Sequence, residues 1–143
     1  MGEISPYLYA IVAGWVVAQG AKYVIVVLKT RSASNIRQLY LSGNMPSAHS
    51  ATTIALLTVI ALRDGVDTGL FGLASLFAAI VMYDSMMVRR SVGEQGATIQ
   101  AMIKERASKV AMPRAAKGHT PLEVLVGTVV GLLVGLVVFF ATN

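Results

Sequence analysis

Four long apolar segments alternate with polar connections along the chain. They run from about Tyr7 to Leu28, Ser50 to Leu62, Thr68 to Met87 and Pro121 to Ala141. Each approaches the roughly 20 apolar residues that cross the hydrocarbon core of a bilayer. The second is the shortest and starts in a polar turn, as a span can when its end is buried in protein rather than in lipid. The pattern predicts an all-α fold, a polytopic membrane helix bundle with four transmembrane helices.

The composition agrees with a membrane protein. Of the 143 residues, 55% are apolar and 13% are charged, and the mean hydropathy is +0.67. These values exclude an ordinary soluble domain, and the length allows a single membrane-embedded domain over residues 1–143. The chain has no cysteine, which excludes disulfides and thiolate metal ligands. The first apolar run follows an acidic start, so we expect a retained span rather than a cleaved signal peptide.

The basic residues are concentrated on one side of the predicted bundle. Four crossings bring together the end of the first span, the start of the second, the end of the third and the start of the fourth. Ten of the twelve basic residues fall on that side: Lys29, Arg31, Arg37, Arg89, Arg90, Lys104, Arg106, Lys109, Arg114 and Lys117. The positive-inside bias therefore makes this side cytoplasmic and places both termini outside, in a plasma membrane protein. Topology alone accounts for most of these charges.

The one long segment outside the spans, residues 91–117, has an amphipathic pattern. Apolar side chains recur at helical spacing, at Ile99, Met102, Ile103, Ala107 and Val110. The pattern predicts a cytoplasmic amphipathic helix, either lying on anionic headgroups or connecting spans as a solvated element packed on the bundle. In the fourth span, Gly127, Gly131 and Gly135 recur every fourth residue, which allows another helix of this chain or of a second one to approach closely.

Both histidines sit in polar turns at the start of apolar runs. His49 lies in the turn formed by residues 43–50, and His119 in that formed by residues 118–123. The first turn of a helix has unpaired N–H groups and the positive end of the helix dipole, so it can seat an anion. Ser47 and Ser50 add hydroxyl donors, and each imidazole titrates near neutral pH. Alone, either histidine is more simply a polar cap; two on one side of the bundle favour a shared site.

The spacing between His119 and Glu123 adds a second signal. Residues four apart share a helix face, so the carboxylate can fix the tautomer of the imidazole and stabilise its cation. Such a pocket is suited to a phosphate, with one histidine as nucleophile and the other as proton donor.

Further charged residues border the same side. Lys22 lies within an apolar span, where a cation serves function or extends to the nearby interface. Asp84, Arg89 and Arg90 follow the third span, where Asp84 can simply pair with an arginine. Asp84, the two histidines and Glu123 lack the close spacing of a zinc motif, so no metal site is predicted.

Three stretches together resemble the divergent branch of the type 2 phosphatidic acid phosphatase superfamily, which is related to acid phosphatases and vanadium-dependent haloperoxidases. They are Gly-Asn-Met-Pro-Ser-Ala-His-Ser-Ala over residues 43–51, Asp84 with Val-Arg-Arg-Ser-Val-Gly-Glu-Gln over 88–95, and Gly-His-Thr-Pro-Leu-Glu-Val over 118–124. Their order matches the family, and the resemblance extends from residues 19–22 to the fourth span.

The resemblance implies roles for the first two motifs. Lys22 and Arg31 correspond to the lysine and arginine of the first motif, which bind phosphate. Their spacing is looser than the usual one, and Lys29 could substitute in this motif. Ser47 and His49 correspond to the second motif, which supplies backbone donors and an acid histidine. Ala48 replaces its usual glycine and keeps the N–H group.

The third motif implies His119 as nucleophile, following Gly118, with Glu123 in place of the usual aspartate. Its arginine is open: Arg114 is one residue off the usual spacing, while Arg89 and Arg90 are remote in sequence but on the same side.

The implied activity is that of a phosphoric monoester hydrolase acting on a membrane lipid phosphate, without a cofactor. Phosphatidate, phosphatidylglycerophosphate and a polyprenyl phosphate fit equally. Membrane lipids are the expected partners, nucleic acid is not, and a homodimer would help four spans to enclose a headgroup. The alternatives are a non-catalytic lipid-phosphate binder or translocase, and a structural subunit that recruits partners through the glycine face of the fourth span.

Overall fold

A computed structural model describes residues 5–31, 45–106, 110–113 and 118–143. This part of the chain is helical, without strands, as predicted. The helices are α1 (Pro6–Thr30), α2 (Ala48–Arg63), α3 (Gly69–Tyr83), α4 (Arg89–Glu105) and α5 (Pro121–Thr142), and a π turn (Asp84–Val88) joins α3 to α4.

Local sequence signals account for the helix starts. Ser47 and Thr68 cap α2 and α3 by accepting a hydrogen bond from the backbone N–H three residues on. Helix α5 begins with Pro121 in its first turn and a capping box between Thr120 and Glu123. The N-cap positions of α2 and α5 are therefore taken by Ser47 and Thr120, so neither histidine is the cap.

Contacts at the two ends of the bundle show how the helices run. At one end, Tyr7 on α1 donates hydrogen bonds of 2.9 and 2.8 Å to the carboxylate of Asp64, and Arg63 donates to the carbonyl of Thr142 at the end of α5. The start of α1 thus meets the ends of α2 and α5. Helix α1 is therefore antiparallel to α2 and to α5, whereas α2 and α5 are parallel.

Backbone hydrogen bonds at the other end join three segments. The N–H of Ser47 donates to the carbonyl of Glu123 (3.0 Å), and the N–H of His119 donates to the carbonyl of Ser85 (2.9 Å). The starts of α2 and α5 therefore meet the end of α3, which is the arrangement that four alternating segments predict.

Helix α2 is central because α1, α3 and α5 all pack on it. The glycines of α5 allow the closest approach. A Cβ atom at Gly127 would lie 2.5 Å from the carbonyl oxygen of Ser47, and one at Gly131 would lie 2.5 Å from that of Ala51. Gly135 is equally close to α2. The glycine face therefore packs within the chain, so it is not a surface for recruiting a second protein.

The π turn makes α3 and α4 one continuous helix. The predicted amphipathic helix is thus a direct extension of the third apolar segment, and it ends at Glu105. Val110 lies beyond the helix, and Ala107 and Lys109 fall outside the described residues. Ile99 and Met102 are about half exposed, so the bundle does not bury the apolar side of α4.

Within the described residues, three helical stretches are long and apolar enough to cross a membrane: Pro6–Thr30, Gly69–Glu105 and Pro121–Thr142. Helix α2 has 16 residues and is about 24 Å long at 1.5 Å per residue, which is shorter than a hydrocarbon core of about 30 Å. The other helices cover it, and Ala51, Ala55 and Val59 are fully buried. The outer surface carries large exposed apolar side chains, as expected of a protein in contact with lipid.

Candidate phosphate site

His119 and Glu123 form a close pair at the start of α5, where His119 directly precedes the N-cap Thr120 and Glu123 lies in the first turn. The imidazole Nδ1 lies 3.0 Å from Glu123 Oε2, and His119 is 3% exposed. The same carboxylate oxygen accepts the backbone N–H of Thr120 at 3.1 Å, while Thr120 Oγ1 accepts the N–H of Glu123 at 3.3 Å. The capping box therefore holds the carboxylate in place, and the carboxylate orients the ring with Nδ1 as donor and Nε2 available.

The π turn anchors His119 from the other side. Its Ser85 carbonyl accepts the His119 N–H, and Ser85 is buried. A Cβ atom at Gly118 would lie 2.4 Å from the backbone nitrogen of Arg90. Since backbone cannot give way as a side chain can, the residue before His119 has to be glycine for the two segments to meet.

His49 lies close to His119. The ring centroids are 6.2 Å apart with an interplanar angle of 63°. His119 is buried and His49 is exposed; we refer to the space beside the two rings as the pocket. The sequence prediction that both histidines lie at the same end of the bundle agrees with this arrangement.

The first turn of α2 supplies hydrogen-bond donors beside His49. Ser47 Oγ accepts from the Ser50 N–H (3.4 Å) and from the Ser50 hydroxyl (3.1 Å), and both serines are fully buried. The serine side chains thus stabilise the turn. Within the described part of the chain, the N–H groups of Ala48 and His49 make no hydrogen bond, and N–H groups at the positive end of a helix are suited to an anion.

Lys22 is the buried cation of the site. It lies on the face of α1 that contacts α2 and is 4% exposed. The Glu123 carboxylate attracts its charge and a protonated His49 would repel it, but no ion pair or hydrogen bond ties it to another of the described residues. Because a buried cation is stabilised by compensating negative charge, this environment is suited to a bound anion.

Two ion pairs border the pocket at the π turn. Arg89 Nε lies 2.6 Å from Asp84 Oδ2, and Arg90 Nε lies 3.1 Å from Glu94 Oε1. Arg89 and Asp84 both interact electrostatically with His49, whereas Arg90 is not among the groups that do. The two arginines, which are adjacent in sequence, thus pair with different carboxylates.

Comparison with known proteins gives a match over most of the chain. A sequence profile of the divergent PAP2 family matches residues 5–134. The chain belongs to the divergent PAP2 family. It is also similar to the uncharacterized membrane protein YuiD of Bacillus subtilis (strain 168), with 37% identity over 114 residues, which cover 69% of this chain and 72% of YuiD. No solved structure matches.

The part of the chain that matches the divergent PAP2 family includes the whole pocket. It extends from α1, with Lys22, to the middle of α5, beyond Glu123.

Arg31, another predicted phosphate ligand, is not brought into the pocket. Arg31 is exposed at the end of α1, in a left-handed conformation with φ of 50°. It follows Lys22 by nine residues, which is about 13 Å along a helix. Arg114 lies outside the described residues. Among the described residues, no group of three or more acidic or histidine side chains is arranged to hold a metal ion.

Sequence reasoning missed Ser85. It is a small polar residue near the end of an apolar run, but the contact that matters is made by its backbone carbonyl. Because every residue has such a carbonyl, no side-chain pattern could have identified it.

Proposed function

We propose that this protein is a membrane lipid phosphatase, which hydrolyses a phosphomonoester lipid through a phosphohistidine at His119. The observation that carries the proposal is the buried His119–Glu123 pair with His49 opposite, at ring centroids 6.2 Å apart. A histidine oriented through Nδ1 presents Nε2 to an electrophile, and a second histidine within reach of the same group can donate a proton.

The first step is attack by His119 Nε2 on the phosphorus of the lipid. The N–P bond forms as the P–O bond to the lipid breaks, and protonated His49 gives its proton to the departing alkoxide. Glu123 stabilises the positive charge that develops on the His119 ring. The equatorial oxygens are bound by Lys22, by Arg89 and by the N–H groups of Ala48 and His49.

The second step is hydrolysis of the phosphohistidine. Neutral His49 removes a proton from a water molecule, whose oxygen attacks phosphorus as the N–P bond breaks. Inorganic phosphate leaves, His119 returns to its neutral form with the proton on Nδ1, and His49 is again protonated for the next lipid.

The packing of the helices favours a lipid over a soluble phosphate ester. Helices α1 and α3 each pack on α2, but within the described residues they do not pack on each other to any extent. Exposed His49 lies on α2 between them. A lipid can therefore reach the pocket from the side with its headgroup at the histidines and its chains along the bundle.

The proposal includes the topology derived from sequence. All four apolar segments cross the membrane, α2 as a short span covered by its neighbours, and the histidine end is on the cytoplasmic side of the plasma membrane. The basic residues Lys29, Arg89, Arg90 and Lys104 lie at or beyond this end, whereas Arg63 at the other end is followed by Asp64. Phosphatidate, phosphatidylglycerophosphate and polyprenyl phosphates of the inner leaflet are then the candidate substrates.

A phosphate-release screen with purified full-length protein tests the proposal. Wild type is expected to release phosphate from at least one of these three lipids, and His119→Ala is expected to release none while keeping the wild-type melting temperature. Leu122→Ala is the matched control, because Leu122 lies in the same helical turn and is exposed. Turnover by His119→Ala, or no release by wild type from any of the lipids, would overturn the proposal.

A second candidate function is a lipid-phosphate binder or translocase without hydrolysis. The observation in its favour is the position of Arg31, because its distance from Lys22 leaves the pocket with fewer cations than the family resemblance implies. Binding of a lipid phosphate by wild type without release of phosphate would identify this function.

A further inference from the structure

We propose that Asp84 competes with the phosphate for the guanidinium group of Arg89, which lies beside the pocket. The inference rests on the proposed function, because it assigns Arg89 to the phosphate. It adds that the affinity of the pocket is set partly by an acidic group that belongs to the protein.

The π turn creates the ion pair. In an α-helix, residues five apart lie on different faces, whereas the hydrogen bonds of a π turn close between residues i and i+5. The backbone N–H of Arg89 accordingly donates to the carbonyl of Asp84, and the two side chains meet at 2.6 Å.

The same turn forms one wall of the pocket. Ser85, next to Asp84, accepts the N–H of His119, and Arg90, next to Arg89, packs its backbone against Gly118. Both members of the ion pair are thus adjacent in sequence to residues that contact the nucleophile segment. Both also interact electrostatically with His49.

Carboxylate and phosphate oxygens bind a guanidinium in the same way, through paired N–H donors. The side chains of Arg89 and Asp84 are 50% and 39% exposed, so water screens their attraction and the pair is weak. A phosphate in the pocket can therefore displace the carboxylate at small cost, while the remaining charge of Asp84 opposes its binding. Neutralising Asp84 should strengthen the binding of the anion.

The chain provides a matched control in the next ion pair. The side chains of Arg90 and Glu94 are also exposed, at 57% and 69%. Arg90 directly follows Arg89 in the sequence. Glu94→Gln removes one negative charge, as Asp84→Asn does, but from a carboxylate that pairs with Arg90 and not with Arg89.

The test is the affinity of the full-length protein for inorganic phosphate, measured by titration calorimetry in lipid nanodiscs at fixed pH and ionic strength. Asp84→Asn is expected to bind phosphate about threefold more tightly or better, and Glu94→Gln is expected to equal wild type. In the Arg89→Gln background, where there is no guanidinium to compete for, Asp84→Asn is expected to bring a smaller gain than in wild type.

Three results would overturn the inference: no gain from Asp84→Asn, an equal gain from Glu94→Gln, or an undiminished gain in the Arg89→Gln background. Absence of phosphate binding by wild type would also overturn it. The titration does not depend on turnover, so a protein that binds phosphate but hydrolyses no lipid would refute the proposed function and leave this measurement to decide the inference.

Discussion

At the scale of single residues, the site depends on a carboxylate that serves two partners. Glu123 Oε2 contacts both the Thr120 N–H that starts α5 and the Nδ1 atom of His119. Forming the helix therefore also orients the imidazole of His119, the proposed nucleophile. The arrangement explains how a helix-capping sequence can carry chemistry: Thr120 caps the helix, which leaves the imidazole of His119 free to act.

Glu123→Gln separates the two roles of this side chain. Glutamine is accepted at this position of a capping box, so the melting temperature is expected to stay at the wild-type value. The charge that stabilises the His119 cation is lost, so we expect phosphate release to fall by about a hundredfold or more. Equal loss of stability and activity would instead mean that Glu123 acts only as a cap.

Lys22→Met tests whether the buried cation serves binding rather than folding. Methionine fills a similar volume without charge, so the variant is expected to melt at or above the wild-type temperature, because a buried charge costs free energy. Its affinity for phosphate is expected to fall about tenfold or more. A large loss of stability with unchanged phosphate affinity would show that Lys22 has a structural role.

At the scale of helices, α2 determines the architecture because three other helices pack on it. The glycines of α5 bring the backbones of α2 and α5 close enough to place His49 beside His119. The spacing of Gly127, Gly131 and Gly135 predicted a close helix contact, but a repeat of small residues does not specify whether the partner belongs to the same chain.

Gly131→Ala tests this contact. A Cβ atom would lie 2.5 Å from the Ala51 carbonyl oxygen, so we expect a loss of stability of about 1–3 kcal/mol, measured by denaturation in detergent micelles. Gly72→Ala on α3 is the control, since nothing lies within 4 Å of its added Cβ atom, and it is expected to be neutral or stabilising. Similar effects of both variants would contradict the packing of α5 on α2.

Helix positions could be predicted from sequence more fully than the set of site residues. Long apolar runs mark the helices, and the four-residue spacing predicts the His119–Glu123 contact. The π turn left no such signal, because the inserted residue shifts the phase of the helix without changing its composition. For the same reason the sequence could not distinguish Arg89 from Arg90. The separation of Arg31 from Lys22 depends on α1 continuing to Thr30, two residues beyond the predicted span.

At the scale of the whole molecule, the site requires that distant parts of the chain reach the same side of a membrane. Lys22, His49 and His119 come from α1, from α2 and from the segment before α5, and the basic residues mark their end of the bundle.

Cysteine labelling tests this topology. The chain has no native cysteine, so single cysteines at the exposed positions 49 and 120, the latter next to His119, can be probed with a membrane-impermeant thiol reagent in sealed, right-side-out vesicles. Both are expected to react only after the vesicles are opened, and a cysteine at Asp67, at the other end, is expected to react before they are opened. Reaction of positions 49 and 120 from opposite sides would contradict the topology.

Trapping the covalent intermediate tests the central claim most directly. Purified protein is mixed with a lipid that it hydrolyses, labelled with ³²P in the phosphomonoester, and quenched within one turnover. We predict that an acid-labile, base-stable label is found on the peptide that contains His119, and that it is absent from His119→Ala. Hydrolysis at the wild-type rate with no labelled histidine, or with the label on another residue, would contradict the account.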